Sequence, residues 1–96
     1  MKGPILKDWS IGWPPLATNY KMPIGLGRIC VRGTLFDGPR DRKGRVVILK
    51  DITFLDGDNG TLKTKKRFFF LEEPEKAFTA WLGRMKIKLS EYNIDI

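Results

Sequence analysis

The sequence has no histidine and a single cysteine, Cys30. Histidine is the side chain whose ordinary pKa lies nearest to neutrality, so its absence removes the commonest general base and leaves the Cys30 thiol without an imidazole to activate it. Any general base would have to be a carboxylate, lysine or tyrosine with a strongly shifted pKa. We therefore predict that the protein is not an enzyme, has no catalytic residues and uses no cofactor.

Other absences bound where the protein acts. Cys30 has no second cysteine with which to form an intrachain disulfide, which suits a reducing compartment. No apolar run approaches the roughly 20 residues that a bilayer span requires. The amino terminus is too short and too charged before residue 9 for the apolar region of a signal peptide. These features predict a cytoplasmic protein without membrane contact, and a length of 96 residues predicts a single domain over 1–96.

The segment Asp56-Gly57-Asp58-Asn59-Gly60 has the composition of a calcium loop. Such a loop carries a glutamate at its twelfth position. Counted from Asp56, that position is Arg67, which would repel the ion. The two left-handed-tolerant dipeptides Asp-Gly and Asn-Gly indicate a hairpin turn instead, and we predict no metal site.

Residues 1–27 are predicted to form an irregular amino-terminal segment packed on the core. Trp13-Pro14-Pro15 removes backbone donors and argues against a helix or a central strand. Trp9 and Trp13 are either buried anchors or an exposed recognition patch. Residues 28–72 then predict a three-stranded antiparallel meander, because apolar residues alternate with polar ones over 28–35 and return over 45–55 and 61–71. Lys50-Asp51 indicates a bulge in the second strand.

A helix is predicted over 73–86, with Pro74 at its first position and Ala77, Phe78, Trp81, Leu82 and Met85 on one apolar stripe. Gly83 is a weak point at which the helix could end. The tail, 87–96, is either an edge strand or a dimer contact. The fold class is therefore α+β: a small curved antiparallel sheet of three to five strands, open or partly closed as a barrel, with one helix near the carboxyl terminus.

The positive feature of the sequence is its charge. Lys and Arg number 18 against 11 Asp and Glu, a net charge of +7. Such a balance suits a polyanionic partner, although it could equally serve solubility. Two groups of these cations lie on a charged loop and on the third predicted strand. Pairing of the second and third strands across the Asp58 turn would bring both groups to one rim of the sheet, which we predict to bind nucleic-acid phosphates. The candidate residues are Arg40, Arg42, Lys43, Arg45, Lys63, Lys65, Lys66 and Arg67.

Three phenylalanines follow this basic strand. Since successive strand residues point to opposite faces, at least one of Phe68, Phe69 and Phe70 must leave the common face. We expect Phe68 and Phe70 in the core and Phe69 covered by another segment. The alternative is an exposed ring on which a nucleic-acid base could stack.

The stretch 28–74 resembles a group of small bacteriophage and mobile-element proteins. The resemblance rests on Gly33-Thr34-Leu35-Phe36, Gly38-Pro39-Arg40, a strand ending in Asp51-Ile52, and Thr64 before an aromatic-Leu-Glu-Glu-Pro close. This chain departs from the group's pattern where Leu49-Lys50 replaces Thr-Ser and Lys65-Lys66 replaces Ser-Gly. The resemblance implies an accessory protein that binds host machinery, and it supplies no site residues.

Three functional hypotheses follow. The first is non-enzymatic binding of nucleic acid, DNA or RNA, mainly through phosphates and with little base discrimination. The second is an effector that binds and inhibits a host protein, with the basic rim docked on an acidic surface. The third is an assembly role in which 87–96 pairs between protomers. The sequence leaves the oligomeric state open.

Overall fold

The computed structural model describes residues 3–15, 17, 19–23, 28–38 and 40–95. Within these residues the chain forms seven strands, one α-helix and a single 3-10 turn at Leu89–Glu91. In chain order the elements are β1 (Ile5–Gly12), β2 (Cys30–Phe36), β3 (Arg45–Leu49), β4 (Ile52–Asp56), β5 (Thr61–Thr64), β6 (Phe68–Leu71), α1 (Lys76–Met85) and β7 (Asn93–Asp95). The strands form one sheet in the order β3-β2-β1-β6-β5-β4-β7.

The predicted fold class, α+β, is wrong: the described residues are mostly β, with seven strands and one short helix. The described sheet has seven strands where three to five were expected and is mixed where an antiparallel one was expected, and of the two predicted forms it is the open one. The parallel pairing joins β1 to β6, with Ile5 opposite Phe70 and Leu6 opposite Leu71. On its other side β1 runs antiparallel to β2.

The main error is the assignment of 1–27 as irregular, because β1 lies near the centre of the sheet. A bulge hides it in the sequence: Asp8 has a φ of 50°, and the register with β2 shifts between Lys7 and Ser10. Because of the extra residue, the inward side chain that follows Leu6 is Trp9 instead of Asp8, and Ile11 comes next. The alternation of apolar and polar residues that marks a strand is therefore interrupted. The prolines that argued against a strand follow after β1 has ended at Gly12.

The strand predicted over 45–55 is two strands. Asp51 has a φ of 55°, and the chain turns there instead of bulging. β3 pairs with β2, whereas β4 pairs with β5 and β7, so consecutive strands lie far apart in the sheet order. Because only Lys50 and Asp51 separate them, Leu49 and Ile52 are at most about 11 Å apart, which requires the sheet to curl strongly.

The α-helix is found inside the predicted range but is shorter. Pro74 is not its first residue; it pairs with Trp9 in an isolated parallel bridge. Phe78 and Leu82 enter the core, whereas Met85 is 44% exposed and does not pack as predicted. The helix continues past Gly83 and ends at Met85, followed by the left-handed capping residue Lys86, whose N–H bonds the Gly83 carbonyl.

The core lies between the helix and the inner face of the curled sheet. The fully buried Tyr92 donates a hydrogen bond to the Lys21 carbonyl at 2.5 Å. The helix and five of the seven strands contribute to the core, while β3 and β7 pack against it with partly buried residues. The core residues are Leu6, Trp9, Ile11, Ile29, Val31, Leu35, Ile52, Leu55, Leu62, Phe69, Leu71, Phe78, Leu82 and Tyr92.

The two amino-terminal tryptophans have different roles. Trp9 is buried, and its Nε1 donates to the Glu72 carbonyl at 2.9 Å. Trp13 is 53% exposed, with the Lys21 ammonium 4.5 Å from its ring centroid. One is therefore a core anchor and the other a surface residue.

The tail forms an edge strand, the first of the two predicted alternatives. β7 runs antiparallel to β4, with Ile94 opposite Leu55. Across the described ranges, no helix has both the length and the apolar character needed to span a membrane.

Gly83 generates a stability prediction. It is an exposed position inside α1, and a Cβ built there would meet no atom within 4 Å. We expect Gly83→Ala to raise the free energy of unfolding by about 0.5–1 kcal/mol, because alanine loses less backbone entropy in a helix. Urea denaturation with an unchanged m-value would measure it.

The matched control is Gly60→Ala in the β4–β5 turn. Gly60 has a φ of 70°, and a Cβ would lie 2.7 Å from the Leu71 carbonyl oxygen. This substitution should therefore destabilise the protein. Equal effects of the two substitutions would contradict the assignment of Gly83 to an open helical position.

Candidate functional site

The β5–β6 hairpin carries a concentrated group of cations. Lys63, Lys65, Lys66 and Arg67 are four of five consecutive residues, and all four are exposed. Thr64 builds the turn: its hydroxyl oxygen accepts hydrogen bonds from the Lys66 and Arg67 N–H groups at 3.2 Å each, and its own N–H bonds the Arg67 carbonyl at 2.9 Å. The turn backbone is thus satisfied internally, which leaves the Lys65 and Lys66 side chains at the tip.

A second basic segment follows β2. The Asp41 carboxylate accepts hydrogen bonds from the N–H groups of Asp37 and Gly44, both at 3.0 Å. These two hydrogen bonds hold the pKa of the Asp41 carboxyl below its usual value, and the bond from the Asp37 N–H has the larger effect. The loop is folded around this carboxylate, and its three cations, Arg40, Arg42 and Lys43, are exposed.

Asp37 connects the two basic segments. Arg67 donates to both of its carboxylate oxygens, at 2.5 and 3.3 Å, and the Arg45 guanidinium lies 3.8 Å away. The bidentate Arg67 bond is the main reason that the pKa of Asp37 is lowered, and the same bond raises the pKa of Arg67. The Arg67 guanidinium also lies 5.4 Å from the Phe69 ring centroid, so its position is well defined.

Arg45 and Arg67 therefore lie beside one carboxylate. The sequence analysis predicted a common rim for the two basic groups through pairing of the second and third predicted strands across the Asp58 turn. Instead β3 and the hairpin are bridged by β2 and β1, whose ends at Phe36 and Ile5 share a row with Phe70. Lys63, Lys65 and Lys66 share the hairpin with Arg67, whereas Arg40, Arg42 and Lys43 lie on the loop between β2 and β3.

An open depression of about 430 Å³ lies on the hairpin. Its wall combines two strand threonines, four cations and one aromatic ring. The lining residues are Thr53, Lys63, Thr64, Lys65, Lys66, Arg67 and Phe68. Ammonium, guanidinium, hydroxyl and π-face together suit an anion that carries a flat ring.

The orientation of the three phenylalanines is the reverse of the expected one. Phe69 is buried in the core, whereas Phe68 is 37% exposed and Phe70 is partly exposed on the outer face. The reason is register, since Phe69 lies opposite the buried Leu62 and Phe68 lies opposite the exposed Lys63. Phe68 and Phe70 touch edge to face, with ring centroids 5.1 Å apart.

The outer face carries further aromatic rings that the sequence analysis did not single out. Directly paired residues share a face, which produces two rows across the strands. One row runs Phe36, Ile5 and Phe70, and the other runs Phe54, Lys63 and Phe68. The ammonium of Lys7 lies 5.4 Å from the Phe36 ring centroid, and that of Lys63 lies 6.0 Å from the Phe68 ring centroid.

The sequence held a signal for part of this face. Val31, Gly33 and Leu35 alternate inward in β2, which by itself sends Phe36 outward. Asp37 had no comparable signal, because its role depends on the parallel β1–β6 pairing that brings Arg67 beside it.

The groups first considered for chemistry are engaged otherwise. Cys30 is buried with its thiol 3.5 Å from the Trp13 carbonyl, and burial raises the pKa of that thiol. The Asp56 carboxylate accepts hydrogen bonds from Asp58 and Asn59, so it organises the predicted hairpin turn. The described residues contain no group of three or more His, Cys, Asp or Glu side chains that could hold a metal ion.

Neither a family model, nor a curated protein, nor a solved structure matches the chain. The resemblance of 28–74 to phage and mobile-element proteins therefore stays a prediction.

The Asp37 junction generates a pH-dependent stability prediction. Because Arg67 lowers the pKa of the folded Asp37 carboxyl, the ion pair stabilises the protein above the unfolded pKa of about 3.9, and this contribution is lost as the pH falls through the folded pKa. We expect Asp37→Asn to lower the melting temperature near neutral pH, with the deficit shrinking in acid.

The measurement is a series of thermal melts of the parent and the Asp37→Asn variant, from neutral pH down to a pH below the unfolded pKa of about 3.9. Asp58→Asn, in an exposed turn, controls for the loss of one negative charge. A deficit of Asp37→Asn that stayed constant down to acid pH would contradict the ion-pair explanation.

Proposed function

We propose that the protein is a non-enzymatic nucleic-acid-binding domain that contacts phosphates through the β5–β6 hairpin and the loop after β2. The observation that carries this proposal is the hairpin itself: four cations in five residues surround an open depression. A charge that served solubility alone would be interspersed with carboxylates. Phosphate backbones select such clustered cations, since each contact releases condensed counterions.

The eight predicted residues divide into two roles. Arg45 and Arg67 are held by Asp37 and set the geometry of the rim. The remaining six residues supply exposed charge for phosphates: Arg40, Arg42, Lys43, Lys63, Lys65 and Lys66. Exposed lysines at a turn tip position a polyanion better than they discriminate its bases, which supports binding with low sequence specificity.

Three exposed carboxyls, those of Asp37, Asp41 and Asp56, are engaged in hydrogen bonds and are poor candidates for a general base. A general base works best with a pKa near the operating pH. The pKa values of Asp37, Asp41 and Asp56 are all lowered, by hydrogen bonds from Arg67, from the Asp37 N–H and from the Asn59 N–H respectively. The buried Cys30, with the raised pKa of its thiol, fits a reduced thiol in the cytoplasm.

A protein partner is the second candidate, and it draws on a different surface. Trp13 is 53% exposed, and tryptophan is enriched among the residues that dominate protein interfaces. A complex recovered from nuclease-treated lysate that Trp13→Ala abolishes, and that the hairpin variants leave intact, would favour this candidate over the first.

Removal of two hairpin charges should weaken binding in a salt-dependent manner. For Lys65→Gln/Lys66→Gln, we expect lower affinity for any nucleic acid and a log-log salt slope that is shallower by roughly 1.4–1.8. Fluorescence anisotropy of labelled DNA and RNA at several salt concentrations measures both quantities. The control variant Lys76→Gln/Arg84→Gln removes the same charge from the helix and should retain the parent salt slope. An equal loss of affinity and of salt slope in both double variants would contradict the assignment of phosphate contacts to the hairpin.

Asp37→Asn should act in the opposite direction on binding. The substitution releases Arg45 and Arg67 from their carboxylate partner and removes one negative charge from the rim. We expect tighter binding and a steeper salt slope in the same assay, although the variant is less stable. An unchanged slope would show that neither arginine reaches a phosphate.

A further inference from the structure

We propose that the ligand is single-stranded nucleic acid and that one of its bases stacks on Phe68. This inference rests on the proposed function and specifies the class of ligand. The fold leaves the ring of Phe68 exposed at a site where several cations lie close together. Phe68 is 37% exposed and forms part of the hairpin depression together with Lys63, Lys65, Lys66 and Arg67.

The exposure of Phe68 follows from the fold. Phe69 must point inward because it opposes Leu62 and packs in the core, so Phe68 must point outward. The ring is supported from one side by the edge-to-face contact with Phe70. Because the Phe70 contact already restricts the exposed ring, ordering it against a base costs little side-chain entropy.

The surroundings of the ring define the ligand. A depression of about 430 Å³ lies within the range of about 300–1,000 Å³ that is usual for small-molecule sites, and is large enough for a base with its sugar and phosphate. The Lys63 ammonium lies over the Phe68 ring, 6.0 Å from its centroid, so a base that stacks on this face would take the place of the ammonium, which would then be free to pair with the phosphate. A stacking ring with cations alongside is the combination that single-strand binders use.

This combination separates single strands from duplexes and from acidic proteins. In a duplex the base faces are stacked on each other, and exposing one to Phe68 would require unstacking. An acidic protein surface offers carboxylates to the lysines, but no ring is needed to recognise them. Only a single strand uses both components of the depression at once.

The test compares parent, Phe68→Leu and Phe68→Trp on three labelled probes of equal length, about 15 nucleotides, near the upper end of single-strand site sizes. The probes are oligothymidylate, an abasic single strand and a duplex. Val46→Ala is the matched control, because Val46 is an outer-face apolar residue, 62% exposed, that does not line the depression. Thermal melts establish that each variant is folded.

We expect the parent to prefer oligothymidylate over the other two probes. Phe68→Leu should weaken oligothymidylate binding by about 5- to 150-fold, leave abasic and duplex binding and the salt slope unchanged, and be rescued by Phe68→Trp. Quenching of the added tryptophan by thymidylate but not by the abasic strand would report the stacking directly. Val46→Ala should bind like the parent.

Three results would overturn the inference, and they can be distinguished from one another. Equal parental affinity for all three probes, unaffected by Phe68→Leu, would leave phosphate binding intact and remove the stacked base. No parental binding to any probe at low salt would remove the proposed function along with it. A Phe68→Trp variant that is folded but binds as weakly as Phe68→Leu would also contradict stacking.

Discussion

The parallel junction between β1 and the segment that runs from β6 to α1 is the contact on which the rest of the structure depends. Hydrogen bonds join it along its length: Phe70 N–H to the Pro4 carbonyl at 2.9 Å, Asp8 N–H to the Glu73 carbonyl at 2.7 Å and Glu75 N–H to the Trp9 carbonyl at 2.8 Å. β1 is the only link between the β2–β3 pair and the other four strands in the described sheet. Without it, each part would expose the apolar face that it now buries.

The same junction builds the candidate site. It aligns the end of β2 with the start of β6, and the Asp37 carboxylate can then reach Arg67 across the intervening strand. It also fixes the register that sends Phe69 into the core and Phe68 to the surface. The position of the cations and the exposure of the ring are therefore consequences of one pairing between residues more than sixty positions apart in the chain.

The sequence predicts those features of the fold that depend on residues close together in the chain, and it does not predict those that depend on long-range strand pairing. The helix rests on a 3.6-residue period within ten residues, and it lies where that period indicates. β1 was missed because a bulge at Asp8 changes its alternation, and the break at Asp51 was read as a bulge because only tertiary pairing shows that β3 and β4 separate. The sequence predicts a common rim for the two basic groups, but not the carboxylate between Arg45 and Arg67, because Asp37 acquires its role through long-range topology.

The outer face presents aromatic rings and cations side by side. A ligand of this face would have to cover the rings and pair with the cations, and these two requirements restrict its chemical class. Phe36, Phe54, Phe68 and Phe70 leave apolar surface that water does not favour, while Lys7 and Lys63 lie over two of these rings. A purely solubilising surface would avoid the rings, and a purely apolar interface would avoid the cations, because burying an unpaired charge is costly. The ligand proposed above would have to pair with Lys63 and cover the Phe68 ring together, whereas the Lys7 ammonium already lies 3.7 Å from the Glu72 carboxylate. Nucleic acid with accessible bases offers a phosphate and a base in every nucleotide, and this is the reason for proposing that class of ligand.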